Sequence, residues 1–528
     1  MSELSQSFHT WVPEWLIRVA LFSCLMPSMM LFFLPGIHLQ ATAGYYGCQP
    51  NDAQFLIVLF YAGFAGAYIL ERRFFQFFPI KTYYMLFHGL QIFNCILMYW
   101  VTDITWVYPF RFFQGMLFAS SVNLSMSMIF SRIRSSQAKV ISYSIFFGLL
   151  LVSSPFNNLM FSWILDEINF KQLYAFAAFS FLPGLLLVVV LMKPIRHVRP
   201  YPLYKLDWGS YLYLSLSLVC LGFMAVYGQE RYWFAHPQIQ LSFLVFLVSA
   251  GLFIWRQQHL KRVYLHLGIF KSKRFWMSLL ILYLFYLERF SIQLTQQHFS
   301  TILGLDPEHL AYLNILQITG VIFGSFLSAV WTLRNVPIKY IWMVGFTSLF
   351  LFHLGMFHRL ENFGNEERYW GPLFAHGTGI GLLMVPTILF IVSTVREHFS
   401  ASAAAVALLT RFVGYISSFA ILNYFELSQR SKHYQVFRDH LTADSPFLRN
   451  ELYFRAQHFA DRGLHNSPYR AGLKTLHQTV LKQAQIRSTM DYYELMMGLS
   501  IGIIAIILIS PNLLSKFYRW KSTKIAPV

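Results

Sequence analysis

Pro79-Ile80-Lys81-Thr82-Tyr83-Tyr84-Met85 and Pro337-Ile338-Lys339-Tyr340-Ile341-Trp342-Met343 share Pro, Ile, Lys and Met at a constant offset of 258 positions. Gly66 and Gly324 keep that offset, while Gly47, Pro50 and Gly63 match Gly304, Pro307 and Gly320 at 257. These ordered identities flank the same kind of apolar run. The reading is that one helix, loop, helix unit occurs twice, so that the chain is built from duplicated halves.

The surrounding composition says where such halves live. Of 528 residues, 56% are hydrophobic, 18% aromatic and only 12% charged, against about 25% charged in an ordinary soluble protein. Fourteen apolar runs, each of roughly 18 to 25 residues, follow one another from 15–36 to 492–512, and each can cross a hydrocarbon core about 30 Å thick. An all-α polytopic membrane protein is predicted. Runs 1 to 3 pair with runs 9 to 11 through the repeat, so the second half starts near 275 and the two runs between 208 and 256 are an insert. The expected organisation is a six-helix bundle over 1–200, a two-helix insert with linkers over 201–262, and a second, parallel six-helix bundle over 263–528.

The net charge of +18 does not point to nucleic acid, because of where it sits. Counted from a cytoplasmic N-terminus, the inside loops and C-terminal tail hold 23 Lys and Arg, and the short outside loops hold four: Lys171, Arg231, Arg359 and Arg368. That positive-inside asymmetry predicts both termini in the cytoplasm. The outside segment 425–491 carries ten Lys and Arg but is long enough to escape the rule. Within it, Leu473, Leu476 and Val480 keep helical spacing and lead towards Tyr492, which predicts a long outside extension of the last helix. Two readings of that segment stand: a solvated connector, or a docking surface for an extracytoplasmic partner.

Cys24, Cys95 and Cys220 fall inside predicted spans and Cys48 in an outside loop, a pattern with no disulfide framework or zinc spacing. Ala41-Thr42-Ala43 looks like a signal-peptide cleavage site, but the preceding run is too long and lacks a basic start, so the first helix is expected to be retained. There is no phosphate-binding Gly-rich loop, no His and carboxylate set at metal-ligand spacing, and no nucleophile and base pair, so neither a nucleotide-driven pump, a cofactor nor an enzyme is expected.

Polar groups within a span are costly and are read one by one. Arg111 and Gln114 lie one turn apart at the start of the fourth run. Glu288 is the acidic residue well inside a span, and it reads either as a proton carrier or as a structural partner of a buried arginine such as Arg111 or Arg411. Arg411 reads either as a cavity cation or as a side chain that snorkels to the interface. His88, His353 and His376 are relay candidates whose bland alternative is hydrogen-bonded packing. Glu71 with Arg72, at the end of the second run, reads as a charge pair latching the halves or as a solvated helix end. The 54 phenylalanines allow a Phe-rich cavity suited to bulky apolar or cationic compounds.

Arg111-Phe112-Phe113-Gln114-Gly115 resembles the fourth-helix motif of the major facilitator superfamily. Ser154-Pro155-Phe156-Asn157-Asn158, Gly377-Thr378-Gly379-Ile380-Gly381 and Arg411-Phe412-Val413-Gly414 fall where the fourteen-helix drug:proton antiporters of the EmrB type carry comparable patterns. The resemblance implies alternating-access, proton-coupled export of hydrophobic or amphiphilic molecules from the bacterial inner membrane. It also implies a role for Arg111 in coupling, and a periplasmic adaptor and outer-membrane channel as partners. Glu288 and Arg111 are then the proton-coupling candidates, and Gln114, Gln317, Arg411 and His376 the cavity candidates. The departures are equally specific. The acidic residue of the first helix is replaced by Met26, the glycines after Pro155 are missing, and the second-to-third loop offers only Gly66, Glu71, Arg72 and Arg73. A transport-inactive sensor or structural component of an envelope assembly is the alternative these departures favour.

Overall fold

The computed structural model describes residues 7–36, 39–74, 77–133, 137–167, 169–196, 203, 206–260, 263–362, 364–442, 445–463 and 467–509. The first bundle comprises α1 (Glu14–Phe33), α2 (Leu39–Tyr46), α3 (Pro50–Phe74), α4 (Ile80–Trp100), α5 (Ile104–Arg132), α6 (Ala138–Glu167) and α7 (Gln172–Leu191). The insert is α8 (Trp208–Tyr227) and α9 (Pro237–His259). The second bundle follows with α10 (Lys273–Arg289), α11 (Ile292–Thr301), α12 (Pro307–Leu333), α13 (Ile338–Phe357), α14 (Trp370–Ser393), α15 (Ser400–His440), α16 (Pro446–Asp461) and α17 (Pro468–Ile509).

Thirteen helical segments among the described residues are long and apolar enough to cross a membrane. The fourteenth long helix, α4, has 21 residues, about 31 Å at 1.5 Å per residue, and is made more polar by His88, Gln91 and Asn94. All three side chains are buried against the bundle rather than exposed to lipid, which is how a membrane helix tolerates them.

The duplication read from the sequence has a physical counterpart at most matched positions; Gly66 and Gly324 differ, the first packing on Ser215 of the insert and the second on Thr378 of α14. Gly47 and Gly304 both adopt left-handed backbone, with φ of 62° and 68°, and each precedes the proline that opens the next helix, α3 or α12. Left-handed φ is available to glycine at little cost, which explains the residue at both sites. Gly63 presses α3 on α5: a Cβ there would stand 2.2 Å from the Phe112 carbonyl oxygen, and one at Gly115 1.9 Å from that of Phe60. In the second half Gly320 presses α12 on α14, with a Cβ 2.4 Å from the Phe374 oxygen, and one at Gly377 2.3 Å from that of Gln317. Pro79 and Pro337 precede the first residues of α4 and α13. The lysines two residues on do the same work: Lys81 Nζ donates to Val189 O at 2.7 Å, near the end of α7, and Lys339 Nζ to Leu508 O at 2.8 Å, near the end of α17.

The first run of each half departs from the single helix expected. α1 ends in a tight 3₁₀ turn at Leu34-Pro35-Gly36 before α2, and the run expected over 275–296 breaks at Phe290 and Ser291 into α10 and α11. Proline accounts for the first break, since its ring and missing N–H end the hydrogen-bond ladder. The second break carries its own side-chain bond, Ser291 Oγ donating to Glu288 O at 2.7 Å.

The insert packs through α8 on α3, with α9 outside it. Tyr264, in the linker that follows, donates its hydroxyl to Gly66 O at 2.6 Å, and Arg256 pairs with Asp207 at 2.9 Å across the base of the hairpin. At the far end of the chain α15 has 41 residues and α17 has 42, each about 60 Å long, roughly twice the hydrocarbon thickness. Both therefore project beyond the bilayer, and α16 packs on the projecting part of α17. His433 Nε2 lies 2.7 Å from Asp491 Oδ2 and ties the two extensions together. The extension expected of the last helix is present and is shared with its neighbour.

A bulky residue at a glycine contact separates two backbones, whereas Gly251 has open space around it. Gly320→Val is therefore expected to lower the thermal unfolding midpoint by several degrees, on the order of 1–3 kcal/mol of overpacking, while Gly251→Ala leaves it in place. Equal melting temperatures for the two variants would contradict the close-contact assignment.

Candidate functional site

A cleft of about 430 Å³ runs between the two halves. Its mouth lies at the end of the bundle bearing the Gly47 and Gly304 turns, among Pro50 and Asn51 of α3, Thr301 of α11 and Pro307 of α12. A deeper space of about 80 Å³ shares Gln54, Asn158, Gln293, Gln296 and Phe419 with it and reaches Arg289, Gln317, His376 and Tyr415. The lining is carboxamide-rich rather than Phe-rich as the composition had suggested. Helices at the interface present amides one turn apart: Asn51 and Gln54 on α3, Gln293, Gln296 and Gln297 on α11, Asn314 and Gln317 on α12. Spacing of three or four residues places such side chains on one helix face.

Gln317 and His376 are brought together by the fold, with Gln317 Nε2 3.2 Å from His376 Nδ1. His376 Nε2 lies 3.1 Å from Arg289 O, so the imidazole bridges α12, α14 and the end of α10. Arg289 itself donates to Tyr286 Oη at 3.2 Å and lies over the rings of Tyr286 and Phe290. This cation was not singled out by sequence, because a residue beside Glu288 reads first as its neighbour. His353 Nε2 lies 2.9 Å from Ser291 Oγ, and the ring nitrogens of His88 lie 2.9 and 3.1 Å from Tyr84 O and Cys24 O. Both are tied into packing contacts.

Arg111 and Gln114 do other work. Arg111 is wholly buried and donates to Leu31 O and Phe32 O, both at 3.0 Å, to Leu56 O at 3.4 Å and to Gln114 Oε1 at 2.8 Å, with its guanidinium 4.7 Å from the Phe60 ring centroid. Leu31 and Phe32 are in the last turn of α1, and Pro35 has no N–H to offer the Leu31 carbonyl. Leu31 O accepts from Leu34 N–H as well, so Arg111 adds a second donor at the helix C-terminus and complements the negative end of the dipole. The Leu34-Pro35 pair was the available signal for that role.

Glu288 is wholly buried on α10, and its polar neighbours are Ser500 and Tyr492 of α17. It pairs with neither Arg111 nor Arg411, and among the described residues it makes no ion pair. An ionised carboxylate there has no cation to offset a desolvation cost of several kcal/mol. Arg411 does not snorkel. It is 6% exposed, lies 5.4 Å from the centroid of Phe147 in the opposite half, and borders a space of about 40 Å³ with Tyr68, Asn123 and Tyr143. Tyr61 meets Phe412 and Tyr415 edge-on or tilted at 5.4 and 5.7 Å across the same seam. These contacts close the end of the interface away from the cleft mouth.

Glu71 is also placed differently from the expected latch. It is buried and accepts hydrogen bonds from Tyr83 of α4 and Asn123 of α5, so its identified partners lie inside the first bundle. The Arg72 side chain lies outside the described part of the molecule.

No family model matches the chain. A stretch of 321 residues is 19% identical to the colistin resistance protein EmrB of Acinetobacter baumannii and covers 60% of this chain and 61% of that relative. Among solved structures, a peptide transporter POT superposes with a TM-score of 0.58 at 12% identity, covering 97% of this chain and 99% of its own. The nucleoside transporter NupG superposes at 0.54 and 11% identity, covering 93% and 98%. The chain is a multi-pass, all-helical membrane protein with the fold of the major facilitator-type transporters.

Removing the Arg111 guanidinium takes four hydrogen bonds out of a dry interior, to Leu31 O, Phe32 O, Leu56 O and Gln114 Oε1. Arg111→Met is expected to destabilise the folded protein by on the order of 3 kcal/mol, read as a lower unfolding midpoint. Arg111→Lys restores little of it, since one ammonium cannot reproduce the planar fork. Unchanged melting of both variants would contradict the capping role.

Proposed function

We propose that the chain is a secondary active transporter that exports amphiphilic small molecules by alternating access, driven by proton influx across a bacterial inner membrane. The observation that carries this reading is the cleft between the halves, open at one end and closed at the other by Arg411, Phe147 and the Tyr61 cluster. Halves 1–200 and 263–528 rock about that seam, with the insert riding on the first half and both termini cytoplasmic. Similarity to a colistin resistance protein favours export of a bulky amphiphile. It is also the ground for a periplasmic adaptor and an outer-membrane channel as partners.

Glu288 carries the proton in this account. Its seat between α10 and α17 links it to the break before α11, whose glutamines line the cleft, so protonation there alters the packing next to the helix that holds substrate. Arg111 contributes by fixing the end of α1, at the cleft wall beside Gly36. A transport-inactive sensor or structural component is the second reading, favoured by the absence of a carboxylate at Met26.

Proteoliposomes holding an internal pH dye test the choice. Amphiphiles with cationic and with neutral heads are offered separately, and at least one class is expected to collapse an imposed pH gradient in the presence of the chain. Glu288→Gln is expected to reduce proton movement about tenfold or more while substrate exchange continues. A wild-type protein silent to every amphiphile supports the sensor reading, and full proton movement in Glu288→Gln removes that residue from the mechanism.

A further inference from the structure

We infer that the cleft binds an amphiphile whose head is uncharged and dense in hydroxyl or amide groups, a statement that rests on the transport reading and names the substrate class of its site. Nine carboxamides from both halves line the same space, among them Gln54, Asn158, Gln293, Gln296, Gln297 and Asn423. Each offers two N–H donors and one carbonyl acceptor with no net charge. Such a lining matches a head that both donates and accepts, as hydroxyls and amides do, whereas a tetra-aryl phosphonium, which donates no hydrogen bond, leaves the amide carbonyls unused and meets one carboxylate, Glu426, already bonded to Gln297.

The state of the individual groups sharpens the inference. Gln54 is only 5% exposed, faces both the cleft and its deeper extension, and its Nε2 has no hydrogen-bond partner among the described residues. A buried amide donor left unpaired is destabilising, and a ligand acceptor removes that cost. The two charges of the site are already engaged. Glu426, in the cleft, accepts from Gln297 Nε2 at 3.1 Å, and Arg289, at depth, is held by Tyr286 and the Phe290 ring. Phe299, Phe419, Leu313 and Leu422 supply the apolar wall for a tail. The 430 Å³ volume is at the lower end of the range for small-molecule sites, roughly 300–1,000 Å³.

The test is binding to the full chain in lipid nanodiscs at fixed pH without a gradient, since alkyl-glycoside detergents belong to the inferred class and would occupy the site. Three probes are compared by thermal unfolding and direct titration: octyl glucoside below its micellar concentration, an N-octanoyl dipeptide amide, and tetraphenylphosphonium. One or both neutral-headed probes are expected to raise the unfolding midpoint by several degrees. Glucoside alone identifies a polyol head, and the amide alone a peptide-like head. Gln293→Leu combined with Gln296→Leu is expected to weaken that binding about tenfold with an unchanged ligand-free midpoint, and Gln293→Asn to weaken it less. Binding of the phosphonium alone, binding of no probe, or neutral-head affinity indifferent to both variants overturns the inference. Retained binding with absent transport counts against alternating access and leaves the ligand class standing.

Discussion

Four glycines set the architecture: Gly63 against Phe112 and Gly115 against Phe60 in one half, Gly320 against Phe374 and Gly377 against Gln317 in the other. In a bilayer the lipid tails are as apolar as leucine, so helices gain little by hiding apolar side chains from lipid. Association then depends on backbones coming close enough for dense van der Waals contact, which only the smallest residues allow. The α3–α5 and α12–α14 pairs are built this way, and each becomes a rigid element. The halves themselves meet through α6, which packs on α12 and α14 with a Cβ on Gly148 3.9 Å from Ser325, and through aromatic side chains such as Tyr61, Phe412 and Tyr415 that meet edge-on or tilted.

Most of the fold was legible in the sequence because the constraints that fix it are local. Apolar run length gives the spans, proline and glycine give the turns, and the 257–258 offset gives the register between halves. The breaks after Phe33 and Arg289 were not anticipated, although Leu34-Pro35-Gly36 signalled the first. The extension of α15 to His440 was missed because it is polar, and its helical state depends on packing against the opposite helix rather than on an apolar stripe. The candidate site was legible only in part. Gln317 and His376 meet as a pair, yet the glutamines of α11 that line the cleft carry no sequence motif. Lining is a property of five or more helices at once, and no single span reveals which of its faces will meet the gap.

The buried charges divide according to what, if anything, satisfies them. Arg111 has four hydrogen bonds, and its removal is felt as instability because the acceptors lie where water cannot reach. Arg411 rests on rings from the opposite half and serves the closed end of the seam. Glu288 pairs with no cation among the described residues. Natural membrane proteins rarely keep such a group without a use, since its cost is uncompensated in the static fold. The difference separates scaffold from mechanism: a fully satisfied cation fixes geometry, whereas an uncompensated carboxyl can respond to the proton gradient.

The central claim is that two rigid halves rock about the aromatic seam. Paired spin labels measure this directly, one pair at Gln49 and Glu308 on the cleft side and one at Thr82 and Tyr340 on the other, positions that are exposed in the fold. Distances read by electron–electron resonance in nanodiscs should change in opposite senses when a bound substrate or a shift in pH drives the cycle, the first pair closing as the second opens. Distances that stay fixed at both ends, or that lengthen together, would contradict alternating access and leave a static assembly in its place.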